Sequence, residues 1–229
     1  MVPQGGNTGL VGGSVPVFDE IIINMSNMNK VLFFDEIQRV VGVEAGVILL
    51  ELEKSLLSHR ASPPFDIGSR GLCQIGGLIA TNACGIRFIK TNKVQASLVG
   101  LKAVLPNGEI FDAMTVLRKD QTGYDIKQNF VGSEGTLGII TEASILCGPL
   151  PVRRVTALIS VETFEEVTIL VSKAKVMLGN ILSILEFMDS ETISLTTGGA
   201  RNCDLFVEAP YSFCVIMEVE VYSSNDSNS

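Results

Sequence analysis

Glycine is concentrated in three segments of this chain, and these segments restrict the fold more than any other feature of the sequence. The first segment, residues 3–14, places five glycines within nine consecutive positions. Because glycine has no Cβ atom, such a loop can adopt positive φ angles and aim several backbone N–H groups at one anion. The same pattern suits a glycine-rich hairpin or linker, so this segment alone leaves both interpretations open.

The first segment lacks the surroundings of the two common phosphate-binding loops. No Gly-Lys-Ser or Gly-Lys-Thr follows it, which excludes a Walker A loop. It is followed by Val15-Pro16-Val17 and a short predicted strand, whereas a Rossmann fingerprint would lead into a helix. An anion bound here would be held by backbone N–H groups together with the side chains of Asn7, Thr8 and Ser14.

The other two segments are equally rich in small residues. Residues 68–85 alternate small and short apolar side chains, a pattern that suits close packing against a flat ligand or tight helix–sheet packing. Residues 131–143 contain Gly-Ser-Glu-Gly-Thr-Leu-Gly, in which Glu134 could be a catalytic base, a capping acid or an exposed turn residue. No segment supplies a nucleophile next to a positioned base, which favours chemistry carried by an organic cofactor.

Composition excludes several classes of function. The formal net charge of -8 and the absence of a basic stripe argue against a nucleic-acid partner. The single histidine, His59, rules out a multi-histidine metal site, and its polar surroundings favour a surface position. Five cysteines without a CxxC pair argue against a cysteine zinc site and a disulfide scaffold. No apolar run is long enough for a membrane span.

Hydrophobic periodicity and turn residues predict alternating strands and helices. The run Gly148-Pro149-Leu150-Pro151 indicates a boundary, after which Thr163 and Glu166 form a capping box that opens a helix ending near Gly179. The predicted strands are Ile21–Asn24, Val31–Phe34, Gln38–Val43, Val99–Leu105, Glu109–Asp112, Gly138–Ile145, Val155–Val161, Ile181–Phe187 and Phe213–Val221, and a further helix is predicted over 48–58.

The order and spacing of these segments resemble the FAD-binding domain of the vanillyl-alcohol-oxidase/p-cresol-methylhydroxylase flavoprotein superfamily. The resemblance is best to its D-2-hydroxyglutarate and D-lactate dehydrogenase branch and covers roughly residues 2–222. Four stretches carry it: Pro3–Ser14, Pro64–Gly85, Lys119–Asp125 with Val131–Ala143, and Leu185–Asp189. The first resembles the loop that cradles the FAD diphosphate, and the last resembles the start of the substrate domain.

The resemblance implies an α+β fold, with a partial FAD-binding domain at residues 1–148 and the first part of an α+β substrate (cap) domain at 152–222. Residues 223–229 are expected to form a disordered tail. FAD would be bound non-covalently, because no histidine lies in the glycine-rich loops. The expected cofactor-binding residues are Pro3, Gly5, Gly6, Asn7, Thr8, Gly9, Gly12, Gly13, Ser14, Gly68, Ile75, Gly76, Gly77, Asn82, Ala83, Gly85, Gly135, Gly138, Ile139 and Ile140.

The reaction implied is hydride transfer from a D-2-hydroxy acid to FAD, with an electron-acceptor protein or a quinone reoxidising the flavin. The implied location is mitochondrial, or otherwise cytoplasmic, although no transit peptide precedes Pro3. The alternatives are a non-catalytic remnant of such an enzyme and a related D-lactate- or glycolate-oxidising flavoprotein.

The chain departs from the family pattern in several places. We expect it to lack the first FAD subdomain and the half of the substrate domain that carries the family's metal ligands, substrate-binding arginine and catalytic histidine. The isolated chain is therefore expected to be inactive. Leu78 and Cys84 stand where relatives show asparagine and glycine, and a positive φ at Cys84 would cost about 1–2 kcal/mol.

Overall fold

The computed structural model describes residues 1–196 and 212–223. They fall into two compact units: unit 1 comprises Met1–Gly85 with Thr91–Leu150, and unit 2 comprises Ile86–Lys90 with the described residues from Pro151 onward. The strands are β1 (Val2–Gln4), β2 (Ile22–Asn24), β3 (Val31–Asp35), β4 (Val40–Glu44), β5 (Ala61–Ser62), β6 (Leu98–Val104), β7 (Ile110–Ala113), β8 (Ile139–Leu146), β9 (Gly148–Pro149), β10 (Arg153–Val161), β11 (Leu182–Asp189) and β12 (Phe213–Val221). The helices are α1 (Leu49–Leu56), α2 (Ile75–Ala80), α3 (Phe88–Thr91), α4 (Phe164–Leu178) and α5 (Ser190–Thr196).

Unit 1 is built on a five-stranded antiparallel sheet in the order β3-β4-β8-β6-β7. The central strands β4, β8 and β6 carry the buried side chains of this sheet, such as Val41, Leu101 and Ile145. The predicted strands at each end of this order form antiparallel hairpins, β3 with β4 and β6 with β7, with small shifts at their ends. β4 begins at Val40 and not at the predicted Gln38, because the Asp35 carboxylate accepts the N–H groups of Ile37 and Gln38 in the turn.

The predicted helix over 48–58 is confirmed as α1, followed by one 3-10 turn at Leu57–His59. Leu49, Leu52 and Leu56 lie on one face and are completely buried. Their burial anchors α1 in the core of unit 1, because each fully buried leucine contributes on the order of 2 kcal/mol.

The first glycine-rich segment connects two short parallel strands. β1 pairs with β2 in the register Val2↔Ile22, Pro3↔Ile23 and Gln4↔Asn24. A hairpin requires antiparallel strands, so the hairpin interpretation of this segment is wrong. Residues 5–21, between the two strands, form a long irregular loop.

Unit 2 contains the antiparallel sheet β10-β12-β11 and helix α4. The predicted capping box is confirmed, since the Glu166 N–H donates to Thr163 Oγ1 at 3.2 Å and the Thr163 N–H donates to Glu166 Oε2 at 3.1 Å. Val167 and Ala174 are the buried residues of α4 and, seven positions apart, lie on one face of the helix. Gly179 ends the helix with a φ of 48°, as its position indicates.

Within the described ranges, none of the helices combines the length and apolar character needed to cross a bilayer. The cysteines placed there, Cys73, Cys84, Cys147 and Cys214, are free thiols, whereas Cys203 lies outside the described residues. Of the tail predicted to be disordered, only Ser223 falls within them.

Candidate functional site

The three glycine-rich segments of unit 1 line one pocket, which has a volume of about 470 Å³. β1 and β2 flank the first segment, α2 forms the middle of the second, and the third leads into β8. The volume lies in the range of about 300–1,000 Å³ that is usual for cofactor sites. The lining residues are Pro3, Gly5, Gly6, Asn7, Thr8, Gly9, Val11, Gly13, Ser14, Met25, Ala45, Ile67, Ser69, Cys73, Gln74, Gly76, Gly77, Leu78, Ala80, Thr81, Ala83, Glu134, Gly135, Gly138, Ile139 and Ile140.

Most of the expected cofactor-binding residues are among them, and five are not: Gly12, Gly68, Ile75, Asn82 and Gly85. Ile75 is fully buried in the core. A Cβ atom at Gly85 would lie 2.0 Å from the Asp66 carbonyl oxygen, so that glycine permits a close backbone contact. Asn82 has a φ of 48°, and its side-chain oxygen accepts the Gln95 N–H.

Glycines bring the backbones of the three segments together. At Gly6, a Cβ atom would lie 2.0 Å from the Leu72 carbonyl oxygen, which only the absence of a side chain allows. At Gly135, which has a φ of 80°, a Cβ atom would lie 2.8 Å from Pro3 Cγ. The first segment is therefore packed directly against both of the others.

Helix α2 contains two adjacent glycines with different surroundings. A Cβ atom at Gly76 would lie 2.7 Å from Ala45 Cβ, whereas one at Gly77 would have no neighbour within 4 Å. Gly76 thus serves helix–sheet packing, while Gly77 leaves the wall of the pocket open. The interpretation of tight packing therefore holds at Gly76, whereas the interpretation of ligand approach stays a prediction for which Gly77 leaves space.

The third segment is fixed to the end of α2 by backbone hydrogen bonds. The Gly132 N–H donates to the Ile79 oxygen at 3.1 Å, and the Glu134 N–H donates to the Ala80 oxygen at 2.9 Å. Both residues have positive φ angles, 77° and 51°. Glu134 is exposed, and its carboxylate lies 3.7 Å from the position of a Cβ on Gly13, so its side chain borders the pocket in an exposed turn.

The lining of the pocket offers polar groups and carries little charge. Among its lining residues in the described chain, Glu134 is charged, and none is lysine, arginine or histidine. Gln74 is buried, and its side-chain oxygen has no hydrogen-bond partner. An anionic ligand would therefore depend on backbone N–H groups and on neutral side-chain donors such as Asn7 and Thr8.

Cys73 and His59 are chemically reactive residue types, but their environments do not favour a reactive role. Burial raises the pKa of the Cys73 thiol, which keeps it protonated and weakly nucleophilic although it lines the pocket. His59 does not line the pocket, is partly exposed, hydrogen-bonds Glu36 at 2.5 Å and packs on Phe34.

Cys84 does not adopt the positive φ angle that would have been costly for it. Cys84 is not among the residues with positive φ, and the left-handed position in this stretch is Asn82, a residue that tolerates it well. Leu78 is buried and contributes apolar surface to the pocket.

Several lining residues escaped the sequence analysis. Met25, Ala45 and Ile67 come from outside the three segments, and only the three-dimensional fold brings them to the pocket. Ser69, Cys73 and Gln74 lie inside the second segment, but nothing in the sequence marks their side chains as facing a pocket.

A family model described as FAD binding domain matches residues 1–113. The chain is similar to the FAD-binding-domain family over these residues. It is 43% identical to the D-2-hydroxyglutarate–pyruvate transhydrogenase of Saccharomyces cerevisiae over 95% of its length, and 47% identical to the mitochondrial D-2-hydroxyglutarate dehydrogenase of Rattus norvegicus over 91%. It spans 44% and 39% of those two relatives.

A solved structure of alkyldihydroxyacetonephosphate synthase matches 97% of the chain with a TM-score of 0.79 and 25% identity, and the chain covers 43% of it. The predicted fold class, α+β with an FAD-binding domain of the vanillyl-alcohol-oxidase type, is confirmed by these matches. The matched family is one of FAD-binding domains, and two of the three glycine-rich segments lie within the matched residues.

Proposed function

We propose that this chain is part of an FAD-dependent D-2-hydroxy-acid dehydrogenase and that the pocket of unit 1 holds the FAD. The observation that carries this proposal is the convergence of the three glycine-rich segments on one cavity. Unit 1 would then act as the FAD-binding domain, residues 1–148, and unit 2 would form the start of the substrate domain, residues 152–222.

The residues present fit FAD in two ways. Gly9 and Gly77 line the pocket at positions where a Cβ would meet no protein atom, so their faces are free for a ligand. Asn7, Thr8 and Ser14 add donors for a diphosphate. Bound there, FAD would supply the acceptor for a hydride from the α-carbon of the substrate, while the protein orients it and excludes water.

The FAD is held without a covalent bond in this proposal. The residues lining the pocket include no histidine, and the one buried thiol among them, Cys73, has a raised pKa. Its reaction with a flavin would require the thiolate, which burial disfavours. Acid precipitation of the purified yellow chain should therefore release all the FAD into the supernatant, and colour retained in the pellet would contradict this.

The substrate proposed for the parent enzyme is D-2-hydroxyglutarate, because several relatives bear that name. A D-lactate-oxidising enzyme is the second candidate, since the chain is 46% identical to a putative D-lactate dehydrogenase of Schizosaccharomyces pombe over 96% of its length. A mitochondrial location and reoxidation by an acceptor protein or quinone are part of the same proposal.

The 229-residue chain itself is expected not to oxidise either acid. Its one histidine contacts Glu36 outside the pocket, so no imidazole base stands beside a flavin bound there. The test is anaerobic mixing of the FAD-loaded chain with D-2-hydroxyglutarate and, separately, with D-lactate. Flavin bleaching within seconds would show that the catalytic groups lie within this chain. A chain that never becomes yellow would instead favour the non-catalytic remnant.

A further inference from the structure

In the part of the chain that the structure describes, the side-chain amide of Gln74 forms a hydrogen bond with only one of its two ends. The residue is 6% exposed and lines the pocket of unit 1. Its Nε2 donates to Ser26 Oγ at 3.2 Å, while its Oε1 is buried with no partner among the residues that the structure describes. A buried polar atom without a partner is unfavourable, so an unpaired atom at a cavity wall indicates a ligand that completes it.

The Gln74 backbone is held in place, so the side chain cannot withdraw into solvent. Its carbonyl accepts the Leu78 N–H at 3.1 Å at the start of α2, and the residue forms a β-bridge with Ile48. Its neighbours Cys73 and Ile75 are both buried. The amide is therefore a fixed feature of the pocket wall.

The free end of the amide faces the first glycine-rich segment. A Cβ atom on Gly5 would lie 3.5 Å from Gln74 Oε1, so the absence of a side chain at Gly5 leaves room beside the amide. Gly5 opens the segment whose backbone is proposed to surround the diphosphate. A ligand group in this part of the pocket would be within reach of both residues.

The amide can present either of its ends to this space. The oxygen and the NH2 group of glutamine have nearly the same shape, and Ser26 Oγ can accept or donate a hydrogen bond. A half-turn of the amide therefore keeps the bond to Ser26 and places Nε2 beside Gly5. Because the lining residues include no lysine or arginine, a neutral NH2 donor is well suited to an anion there.

We propose that Gln74 binds FAD directly, with its Nε2 donating a hydrogen bond to a diphosphate oxygen and its Oε1 accepting the Ser26 hydroxyl proton. This inference rests on the proposed function, because it takes FAD as the occupant of the pocket. Gln74 is then a binding residue of the second glycine-rich segment. It supplies a side-chain NH2 donor, whereas its glycine neighbours have only backbone N–H groups to donate.

Two near-isosteric replacements separate direct binding from a structural role. Gln74→Met removes both hydrogen bonds, and Gln74→Glu keeps an acceptor for Ser26 but places a carboxylate beside the diphosphate. Direct binding predicts that FAD affinity falls about 10-fold to 100-fold in Gln74→Met. It predicts a loss of more than about 100-fold in Gln74→Glu, since like charges repel. The wild type then binds FAD most tightly, Gln74→Met binds it more weakly, and Gln74→Glu binds it most weakly.

A purely structural role predicts another result, in which Gln74→Met lowers the melting temperature of the apoprotein but binds FAD as tightly as the wild type. Gln128→Met is the matched control: Gln128 also has a buried oxygen without a partner, but it does not line the pocket. Its FAD affinity should equal that of the wild type.

The measurement is the Kd for FAD of the full 229-residue chain and its variants, followed by quenching of FAD fluorescence, with the melting temperature of each apoprotein recorded beside it. Riboflavin, which has no phosphate, is titrated in parallel and should bind Gln74→Glu as it binds the wild type. If the wild type fails to bind FAD, the proposed function itself fails. If it binds and Gln74→Glu binds equally well, only the role of Gln74 is overturned, and this comparison decides even where Gln74→Met folds poorly.

Discussion

At the scale of single residues, the glycines of the pocket divide into those that the fold requires and those that a ligand would require. Gly6 and Gly76 belong to the first group, because a Cβ atom would strike Leu72 or Ala45. Gly9 and Gly77 belong to the second, because a Cβ atom would meet nothing within 4 Å. The sequence shows only that glycine is present, so this division needs the structure.

Replacing the two kinds of glycine in the first segment should have opposite effects. Gly6→Ala should lower the free energy of unfolding by about 1–3 kcal/mol, since its methyl group overlaps the Leu72 carbonyl. Gly9→Ala should change stability by less than about 0.5 kcal/mol and yet weaken FAD binding. Urea unfolding of the apoprotein and FAD titration measure the two effects, and a Gly9→Ala variant with unchanged FAD affinity would remove Gly9 from the site.

Some residues of the pocket could be predicted from the sequence, and others could not. Glycine clusters gave the three segments that meet at the pocket, since their lack of Cβ atoms is visible in the sequence. Met25 and Ala45 could not be predicted, because strand pairing far along the chain brings them there. The unpaired oxygen of Gln74 is likewise a property of packing and cannot be read from a glutamine in a sequence.

At the scale of secondary structure, strong periodicity and caps predicted the elements well. Helix α4 follows its capping box and its apolar face, and the antiparallel hairpins follow their turn residues. Helix α2 escaped prediction because Gly76 and Gly77 have low helix propensity, and packing of Gly76 against Ala45 stabilises it instead. The parallel pair β1–β2 also escaped, because pairing direction across a 17-residue loop has no local signal.

Strand β12 of unit 2 carries a buried charge cluster that should make this unit acid-sensitive. Burial alone would raise the pKa of Glu220, but hydrogen bonds from Lys90 and Tyr222 outweigh it and hold that pKa below its usual value. A lowered carboxyl pKa contributes stability above the unfolded value, about 4.3, and this contribution is lost as the pH falls through the folded pKa.

Glu220→Gln should therefore destabilise the chain at pH 7 by about 3 kcal/mol, because it breaks a buried ion pair and leaves Lys90 without its carboxylate. The same variant should lose less stability than the wild type on acidification below pH 5. Urea unfolding between pH 3 and pH 7, followed by circular dichroism, measures both effects. Glu186→Gln, at an exposed position on β11, is the control and should track the wild type. Parallel pH curves for Glu220→Gln and the wild type would contradict this account.

At the scale of the whole molecule, the chain crosses between its two units more often than the sequence indicates. The stretch Ile86–Lys90 belongs to unit 2, although the residues on both sides belong to unit 1. Ion pairs of Arg87 with Glu218 and of Lys90 with Glu220 hold it there, over more than 100 positions along the chain. Such long-range pairs leave no local pattern, whereas the run Gly148-Pro149-Leu150-Pro151 marks the other boundary in the sequence itself.

The central claim is that the pocket of unit 1 binds FAD, and Gly77 gives the most direct test of it. FAD is titrated into the wild-type chain and into Gly77→Ala by isothermal titration calorimetry, after the melting temperature of each apoprotein is measured. Alanine favours a helix over glycine by about 0.5–1 kcal/mol, and a methyl group here meets no protein atom. We predict that apo Gly77→Ala melts at the same or a higher temperature than the wild type and binds FAD at least about 10-fold more weakly, a loss of about 1.4 kcal/mol. Equal FAD affinity in the two proteins, or no FAD binding by the wild type, would contradict the account.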